Sequence, residues 1–461
     1  MNALAGHPLL SDRYRTRFLV VLSLVCFFNL ADRTLFSVLA PLIRVDLNLS
    51  DTQIGLLQGL SFALLYGGLG IPIGRLAERY SRVGIISIAT AFWSLATILS
   101  GAAMNFTHML LARIGIGMGE AGFMAPTSSL IADHFPPRRR ATAMSLVMLG
   151  LPLGAMIGAI GVGFIGQRWG WRVGFVAFGI PGLLMALLVR RLLTDPPRGL
   201  VDGRQTAQAA PVPPLSAVLS HLWATPTLRW IVIGGGISAI GIQGVAQFMA
   251  LYFVRNFHMP IGSAAALFGT ISGLSLSVGL LAGGIGTDRA SGRDPRWWVL
   301  APAIALVVSA VAFNVGFRSP SLVIAAALIA LGCVGAMIQH SPTTGLIQNL
   351  TPVTMRSSAA AVYAMLTALA GTGIGPTFVG FASDRFGARV FGSADYVLQC
   401  RPGQMAPELA QSCANAAQQG LVQALAVCMI AYAVAAVFYW LASLTLRDDL
   451  QRVETSAGAT A

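Results

Sequence analysis

Charged residues are scarce in this sequence, and lysine is absent from it. Only 10% of the 461 residues are charged, whereas 55% are hydrophobic. A typical soluble domain carries about 25% charged residues, so these few charges would not cover a soluble protein of this size. We therefore predict an integral membrane protein whose outer surface faces the lipid bilayer. The 51 glycines suit helices that pack closely inside a bilayer.

The sequence also lacks the motifs of several functional classes. It has no CxxC or Cys/His spacing for zinc, no HExxH or GxSxG motif, and no nucleotide-binding loop. We therefore expect no metal, no cofactor and no enzymatic activity, and we rank a membrane-embedded lipid-modifying enzyme low. The net charge of +13 comes from arginines scattered between apolar runs, which indicates membrane topology and not nucleic-acid binding.

Twelve apolar segments are long enough to cross a bilayer, which takes about 20 residues per helix. We predict spans at 18–41, 53–74, 83–104, 108–133, 141–165, 173–190, 229–254, 260–286, 297–317, 321–348, 357–382 and 421–445. With the N-terminus inside, 20 of the 30 arginines fall in cytoplasmic segments and 8 in outer loops. The positive-inside rule then predicts a multi-pass protein of the plasma membrane with both termini in the cytoplasm. We expect it to be a monomer.

The chain contains an internal repeat. Three pairs of segments match in the same order: Gly74–Arg79 with Gly284–Arg289, Pro126–Ile131 with Pro342–Ile347, and Gly163–Gly170 with Gly380–Gly387. The offsets are 210, 216 and 217 residues. Two six-helix units that enter the membrane in the same direction can rock around a central site.

The repeat divides the chain into two predicted domains. Residues 1–190 form the first six-helix bundle, 191–228 a cytoplasmic linker, and 229–461 the second bundle. The second bundle includes an outer loop at 384–420, which contains Cys400 and Cys413. These two cysteines either pair in a disulfide or remain free thiols.

The motif Gly74-Arg-Leu-Ala-Glu78-Arg79-Tyr-Ser81-Arg82 resembles the loop signature of the major facilitator superfamily. Glu78 and Ser81 replace the usual Asp and Gly. Arg113-Ile-Gly-Ile-Gly117 and Gly150-Leu-Pro-Leu-Gly154 resemble two further motifs of this superfamily. The resemblance covers the whole chain and implies twelve helices in two pseudo-symmetric bundles. It also implies a cytoplasmic lock that favours the outward-facing state, formed by Gly74, Glu78, Arg79 and Arg82 with their counterparts Gly284, Asp288 and Arg289.

Within the superfamily, four short motifs resemble those of Spinster-type transporters. They are Asn29-Leu-Ala-Asp32-Arg33, Gly55-Leu-Leu-Gln58, Gly117-Met-Gly-Glu120-Ala121 and Ile131-Ala-Asp133. This resemblance implies proton-linked movement of an amphipathic lipid, such as a lysophospholipid or sphingosine-1-phosphate. The first motif also occurs in organic-anion symporters, so a proton-coupled carrier of a small organic anion or a sugar is the alternative.

Four charged residues lie deep inside predicted spans, where an unpaired charge costs several kcal/mol. At about 1.5 Å per residue, Arg113 lies roughly 8 Å below the outer edge, Asp32 roughly 14 Å and Glu120 roughly 18 Å. Arg33 adjoins Asp32, so we predict the ion pairs Asp32–Arg113 and Glu120–Arg33. Our hypothesis is that the two carboxylates carry protons while the two arginines bind the lipid phosphate. The alternative is a static salt-bridge clip between two helices.

The second half has no matching charges. Its counterpart region holds Gln339 and His340, which we predict to contact substrate, with Gln243 and Tyr363 as weaker candidates. A lone histidine in a span is more often a packing residue. A charged half for the headgroup and an apolar half for the tail would suit an amphipathic substrate. An ion channel is a further alternative, but two repeated halves around a charge cluster argue against an open pore.

Overall fold

A computed structural model of the chain describes residues 8–197, 200–201, 214–352, 355–401 and 405–458. These residues are helical or in turns and form no strand. They fall into two compact units: Met1–Gln208 with His258–Gly269 and Arg401–Gln404, and Ala209–Phe257 with Thr270–Cys400 and Met405–Ala461.

Nine helices form most of the first unit. They are α1 (Asp12–Asp46), α2 (Asp51–Gln58), α3 (Leu60–Arg79), α4 (Arg82–Ser100), α5 (Phe106–Glu120), α6 (Met124–His134), α7 (Pro137–Met148), α8 (Gly150–Trp169) and α9 (Trp171–Leu192). Polar caps fix several helix starts, because side chains there accept from N–H groups that have no partner inside the helix. Ser50, for example, forms a capping box with Gln53 at the start of α2.

The remaining helices, apart from the first residues of α12, belong to the second unit. They are α10 (Leu215–Ala224), α11 (Pro226–Phe257), α12 (Ile261–Ser291), α13 (Trp297–Arg318), α14 (Leu322–Ile338), α15 (His340–Asn349), α16 (Arg356–Ala368), α17 (Gly375–Phe391), α18 (Tyr396–Gln399), α19 (Ala410–Cys428) and α20 (Ile430–Gly458). A π-helical turn at Leu369–Ile374 joins α16 to α17. Short 3₁₀ turns lie at Pro8–Leu10 and Pro407–Leu409.

The predicted all-α membrane class is confirmed. Among the described residues, ten helices are long and apolar enough to cross a membrane, by length and composition. The two other predicted spans, 53–74 and 108–133, are each divided into two consecutive helices. The first is interrupted at Gly59 and the second between Glu120 and Met124. Spans 141–165, 321–348 and 421–445 likewise consist of consecutive helices, namely α7–α8, α14–α15 and α19–α20. The structure is therefore consistent with twelve spans.

Glycines allow very close helix crossings in each unit. In the first unit, a Cβ added to Gly154 would lie 2.3 Å from the backbone oxygen of Phe27, so α8 packs directly on the backbone of α1. In the second unit, a Cβ added to Gly375 would lie 2.6 Å from the backbone oxygen of Ile240 on α11. Such close approach is possible only without a side chain. The crossing of the first and fifth spans therefore recurs between the seventh and eleventh.

The predicted linker 191–228 is partly helical. Residues 202–213 lie outside the described residues, but α10 follows them, with Val218 and Leu222 buried. The adjacent face of α10, about 100° away, exposes Leu219 and Trp223. The division into domains at 190 and 229 stays a prediction.

Candidate functional site

The local geometry of α1 and α5 brings four charged side chains of the first unit together. Arg113 and Glu120 are seven residues apart on α5, close to two turns, so they share one face of that helix. Asp32 and Arg33 are neighbours on α1, so their directions differ by about 100°. Arg33 points towards α5, whereas Asp32 points towards α4.

The predicted ion pair between Arg33 and Glu120 is present. Arg33 Nε donates to Glu120 Oε2 at 2.6 Å. The Glu120 side chain is fully buried and that of Arg33 is 23% exposed. A buried carboxylate needs a cation, and this guanidinium provides one while remaining partly accessible. The Arg33 side chain therefore keeps part of its surface exposed while it is paired with Glu120.

Aromatic rings hold both guanidinium groups. The Arg33 guanidinium lies 4.8 Å from the ring centroid of Phe62 and 4.6 Å from that of Tyr66. The guanidinium of Arg113 lies 5.6 Å from the ring centroid of Phe62 and 5.2 Å from that of Phe36. Phe62 thus contacts both cations, and each such contact stabilises a desolvated guanidinium by about 0.5–2 kcal/mol.

The predicted ion pair between Asp32 and Arg113 is wrong. Asp32 Oδ2 accepts a hydrogen bond of 2.6 Å from the Thr97 hydroxyl, and Arg113 Nε donates to the Leu57 carbonyl at 3.1 Å. Arg113 bonds to the Leu57 carbonyl because α2 ends at Gly59. The last carbonyls of a helix lack partners within that helix and therefore bind other donors. Asp32 and Arg113 still interact electrostatically, without a contact within 4.0 Å in the part of the chain that the structure describes.

Three polar atoms of this cluster remain without partners. Asp32 Oδ1, Glu120 Oε1 and Arg113 Nη1 are buried and have no hydrogen bond to any described residue. Such atoms are rare in folded proteins, and each favours an additional partner. The cluster holds two positive and two negative side chains, so it is neutral as a whole while two acceptor oxygens and one donor have no described partner.

Sequence reasoning missed the neutral partners of these charges, namely Thr97, Leu57, Phe62 and Tyr66. A detectable signal was the hydroxyl spacing on α4, where Thr90, Ser94 and Thr97 follow one face of an apolar helix. Phe62 and Tyr66 are four residues apart and also share a face. The role of Leu57 depends on the helix break at Gly59, which the sequence did not reveal.

The predicted residues of the second half form two separate neutral groups inside the second unit. Gln339 donates to the Ser238 hydroxyl at 2.7 Å, and the Gln339 side chain is buried. Tyr363 packs on Gly235 of α11. Gln243 donates to Thr372 at 2.9 Å. These contacts join α11 to α14 and to the π turn.

His340 follows Gln339 but is placed differently. Its side chain is exposed at the start of α15, and its backbone carbonyl accepts from the Thr344 hydroxyl. A role in substrate contact stays a prediction for His340, Gln339, Gln243 and Tyr363.

The structure describes the side chains of only some of the predicted lock residues in the first half. The side-chain surroundings of Gly74 and Glu78 lie outside the described residues, and Arg79 is exposed. Arg82 is 2% exposed and forms ion pairs with Asp133 and, at 2.9 Å, with Asp195. These contacts tie together the chain segments that begin α4, end α6 and follow α9.

The counterparts in the second half make fewer contacts. Asp288 and Arg289 are exposed near the end of α12. A Cβ added to Gly284 would meet only the Ser341 side chain, at 3.8 Å. A locking role for the residues of both halves stays a prediction.

Cys400 and Cys413 form a disulfide with their Cα atoms 5.4 Å apart. The bridge packs against Tyr396 in a small apolar cluster that stabilises the segment between α17 and α19. Within the described residues, no group of three or more His, Cys, Asp or Glu side chains could hold a metal ion.

Comparison with known proteins places these features in a family. The family model described as Major Facilitator Superfamily matches residues 22–376. An "MFS-type efflux pump" of Mycolicibacterium smegmatis is 31% identical over 384 residues, covering 81% of this chain and 86% of that protein. A "Hexuronate transporter" of Bacillus subtilis is 26% identical over 374 residues, covering 80% and 88%.

A solved structure covers nearly the whole chain. The crystal structure of a bacterial homologue of the human lysosomal transporter Spinster, inward-facing and unoccupied, superposes with a TM-score of 0.86. It is 28% identical and covers 95% of this chain and 99% of that one. The predicted resemblance to Spinster-type transporters is confirmed, and a membrane-embedded enzyme is excluded. The chain, with its repeated helical halves and its intramembrane charge cluster, belongs to the Major Facilitator Superfamily of transporters.

Proposed function

We propose that this transporter is proton-coupled and moves an amphipathic lipid with an anionic headgroup, of the lysophospholipid or sphingosine-1-phosphate class, by alternating access. The proposal depends on one observation, which is that, among the described residues, the cation paired with the buried Glu120 carboxylate is the partly exposed Arg33. Glu120 and a substrate anion would compete for the same guanidinium, so binding of the substrate would change the charge environment of Glu120.

The coupling follows from the cost of a buried charge. When a phosphate or carboxylate of the substrate binds Arg33, Glu120 loses its cation. An isolated carboxylate inside a protein is strongly disfavoured, so Glu120 then takes up a proton. Asp32 carries the second proton, and Arg113 gives the headgroup its second cation through the unpartnered Nη1 atom. The neutral groups around Gln339 and Tyr363 would contact the less polar end of the substrate.

A small organic anion is the second candidate substrate class. One similar protein is named as a hexuronate transporter, and a carboxylate would bind Arg33 and Arg113 as well as a phosphate would. Of the two candidate substrate classes, only the lipid has an apolar tail. The choice between them therefore concerns substrate specificity, and the coupling mechanism is the same for both.

Proteoliposomes with an imposed pH gradient test the proposal. We expect pH-driven flux of lysolipids and little flux of hexuronates or sugars; the reverse preference would select the second candidate. Asp32→Asn and Glu120→Gln should each abolish pH-driven flux while the protein remains folded. Asp46→Asn is the matched control, because Asp46 lies on the same helix as Asp32 in an exposed ion pair with Arg172. Intact pH-driven flux in the two cluster variants would refute proton coupling.

Both termini and the interhelical loops rich in arginine should face the cytoplasm. Cysteine accessibility labelling of an N-terminal residue and of the loop after Gly392 measures this orientation. The N-terminal position should be labelled only from the cytoplasmic side and the loop only from the outer side. Labelling of both positions from the same side, or the reverse pattern, would contradict it.

A further inference from the structure

A small cavity lies behind Asp32, on the side of α1 that faces α4 and α9. Its volume is about 10 Å³, close to the lower limit for one water molecule. It is lined by Phe28 and Asp32 of α1, Ser94 and Thr97 of α4, and Gly179 and Gly182 of α9. The cavity lies within the first unit.

Two unpartnered polar atoms belong to side chains that line this cavity. The Asp32 Oδ1 atom and the Ser94 hydroxyl are buried and have no hydrogen bond to a described residue. Ser94 is 1% exposed and Asp32 is 5% exposed. A carboxylate oxygen is an acceptor and a hydroxyl is both donor and acceptor, so one water molecule can bond to both. Buried waters characteristically satisfy such groups.

The same face of α4 continues towards the cytoplasmic end with further hydroxyls. Ser87, Thr90, Ser94 and Thr97 are spaced by three, four and three residues, which places them on one side of the helix. We call this side the hydroxyl face. The Thr90 hydroxyl is also buried and unpartnered, and Ser87 donates to the Ala186 carbonyl of α9 at 2.9 Å. The face extends about 15 Å along α4.

We propose that an ordered water molecule occupies this cavity, hydrogen-bonded to Asp32 and Ser94. We propose further that protons reach it, and then Asp32, along the hydroxyl face of α4 through water molecules that enter transiently between the hydroxyls, since neighbouring hydroxyls of this face do not bond to one another. Water and hydroxyls move a proton by accepting one on one side and releasing another on the other side, so no group gains a lasting charge. The protons would thus enter Asp32 from behind, through the first unit, while the substrate binds on the Arg33 side.

The charges around Asp32 agree with this separation. Arg33 on the same helix, and Arg113 and Glu120 on α5, act on Asp32 electrostatically. On α4 the contact is the Thr97 hydroxyl. The part of α9 that lines the cavity contributes Phe178, Gly179 and Gly182, which carry no titratable group. A proton arriving along α4 therefore does not pass the two arginines that repel it.

Two variants with opposite steric effects test the route. Ser94→Ala removes the hydroxyl and enlarges the cavity. Gly182→Ala fills it, because the new Cβ would lie 2.2 Å from the Ser94 Oγ position. The matched controls are Ser100→Ala and Gly161→Ala. The Ser100 hydroxyl is buried on α4 but bonds only to the Ala96 carbonyl of its own helix, and a Cβ on Gly161 meets only Phe178, at 3.6 Å.

The inference rests on the proposed proton coupling, so each variant is measured in two modes. We expect Ser94→Ala and Gly182→Ala to slow pH-driven flux by about tenfold or more, a modest share of what a proton-transfer group contributes. Exchange of labelled for unlabelled substrate, which needs no net proton movement, should stay within about twofold of the unmodified protein. Equal losses in both modes, or variants that match their controls, would overturn the route.

A second measurement is independent of transport. A density map that resolves ordered water should show one molecule within hydrogen-bonding distance of Asp32 Oδ1 and Ser94 Oγ, and the Gly182→Ala map should lack it. A cavity without water in the unmodified protein overturns the inference. Water in place together with absent pH-driven flux refutes the proposed function and leaves the water site standing.

Discussion

Replacing Gly154 by alanine should separate α8 from α1 and lower both stability and transport. The added Cβ would lie 2.3 Å from the backbone oxygen of Phe27, whereas ordinary contacts begin near 3.4 Å. The two helices must therefore move apart by about 1 Å at this crossing, because a backbone oxygen does not rotate away. Overpacking of this kind costs about 1–3 kcal/mol.

The displacement also affects the charge cluster. Phe27 precedes Asp32 and Arg33 on α1 by about one and a half turns, so a shift of α1 moves both charged residues. A misplacement of about 1 Å in a functional constellation can reduce a rate by up to about 100-fold. We expect Gly154→Ala to unfold several degrees lower in detergent and to transport at a small fraction of the normal rate.

Thermal unfolding of the purified protein and flux in proteoliposomes are the two assays. Gly161→Ala is the matched control, because it adds the same methyl group to the same helix and meets only Phe178, at 3.6 Å. If the two variants unfold at the same temperature, the reasoning from the close crossing is refuted.

Three further predictions concern other parts of the chain. Arg82→Gln removes a buried cation that two carboxylates share and should destabilise the first unit by about 3–5 kcal/mol. Arg172→Gln, in an exposed pair, should cost about 0–1 kcal/mol. Chemical unfolding measures both changes in stability, and similar values for the two variants would contradict the assigned burial. Replacing both Cys400 and Cys413 by serine opens a bridge with a sequence separation of 13 and should lower stability by about 2–3 kcal/mol. A reductant should lower the stability of the unmodified protein by the same amount and leave that of the double variant unchanged. Phe62→Leu keeps an apolar side chain but shrinks it and removes a ring that contacts two guanidinium groups, at about 0.5–2 kcal/mol each. The apparent substrate affinity and the unfolding temperature should therefore both fall, and an unchanged affinity would argue against this role.

Hydrophobic runs and charge positions were sufficient to predict the helical class and the ten spans that the described residues contain as long apolar helices. Long apolar segments have no other stable arrangement in lipid, because each helix satisfies its own backbone hydrogen bonds. The pairing of Arg33 with Glu120 followed from estimated depths alone, since helical rise converts sequence position into depth.

The partners of Asp32 and Arg113 could not be predicted in the same way. Depth along the membrane says nothing about rotation of a helix around its axis, and Asp32 points towards α4 and away from Arg113. The carbonyl that binds Arg113 becomes available only because α2 ends beside Gly59, which is a matter of local backbone geometry. Neutral partners such as Thr97 carry no charge that would reveal them in the sequence.

The π turn at Leu369–Ile374 explains an irregularity in the repeat. Arg140 and Arg356 correspond at an offset of 216 residues, but Gly163 and Gly380 correspond at 217. A π turn closes with one residue more than an α turn, so it absorbs a single inserted residue without rotating the helix beyond it. The second half therefore carries a one-residue insertion relative to the first, stored in the π turn ahead of the glycine crossing at Gly375. Deleting Ala370 should convert the turn into regular α-helix and leave α17 facing α11, whereas a deletion within α17 would rotate everything after it by about 100°.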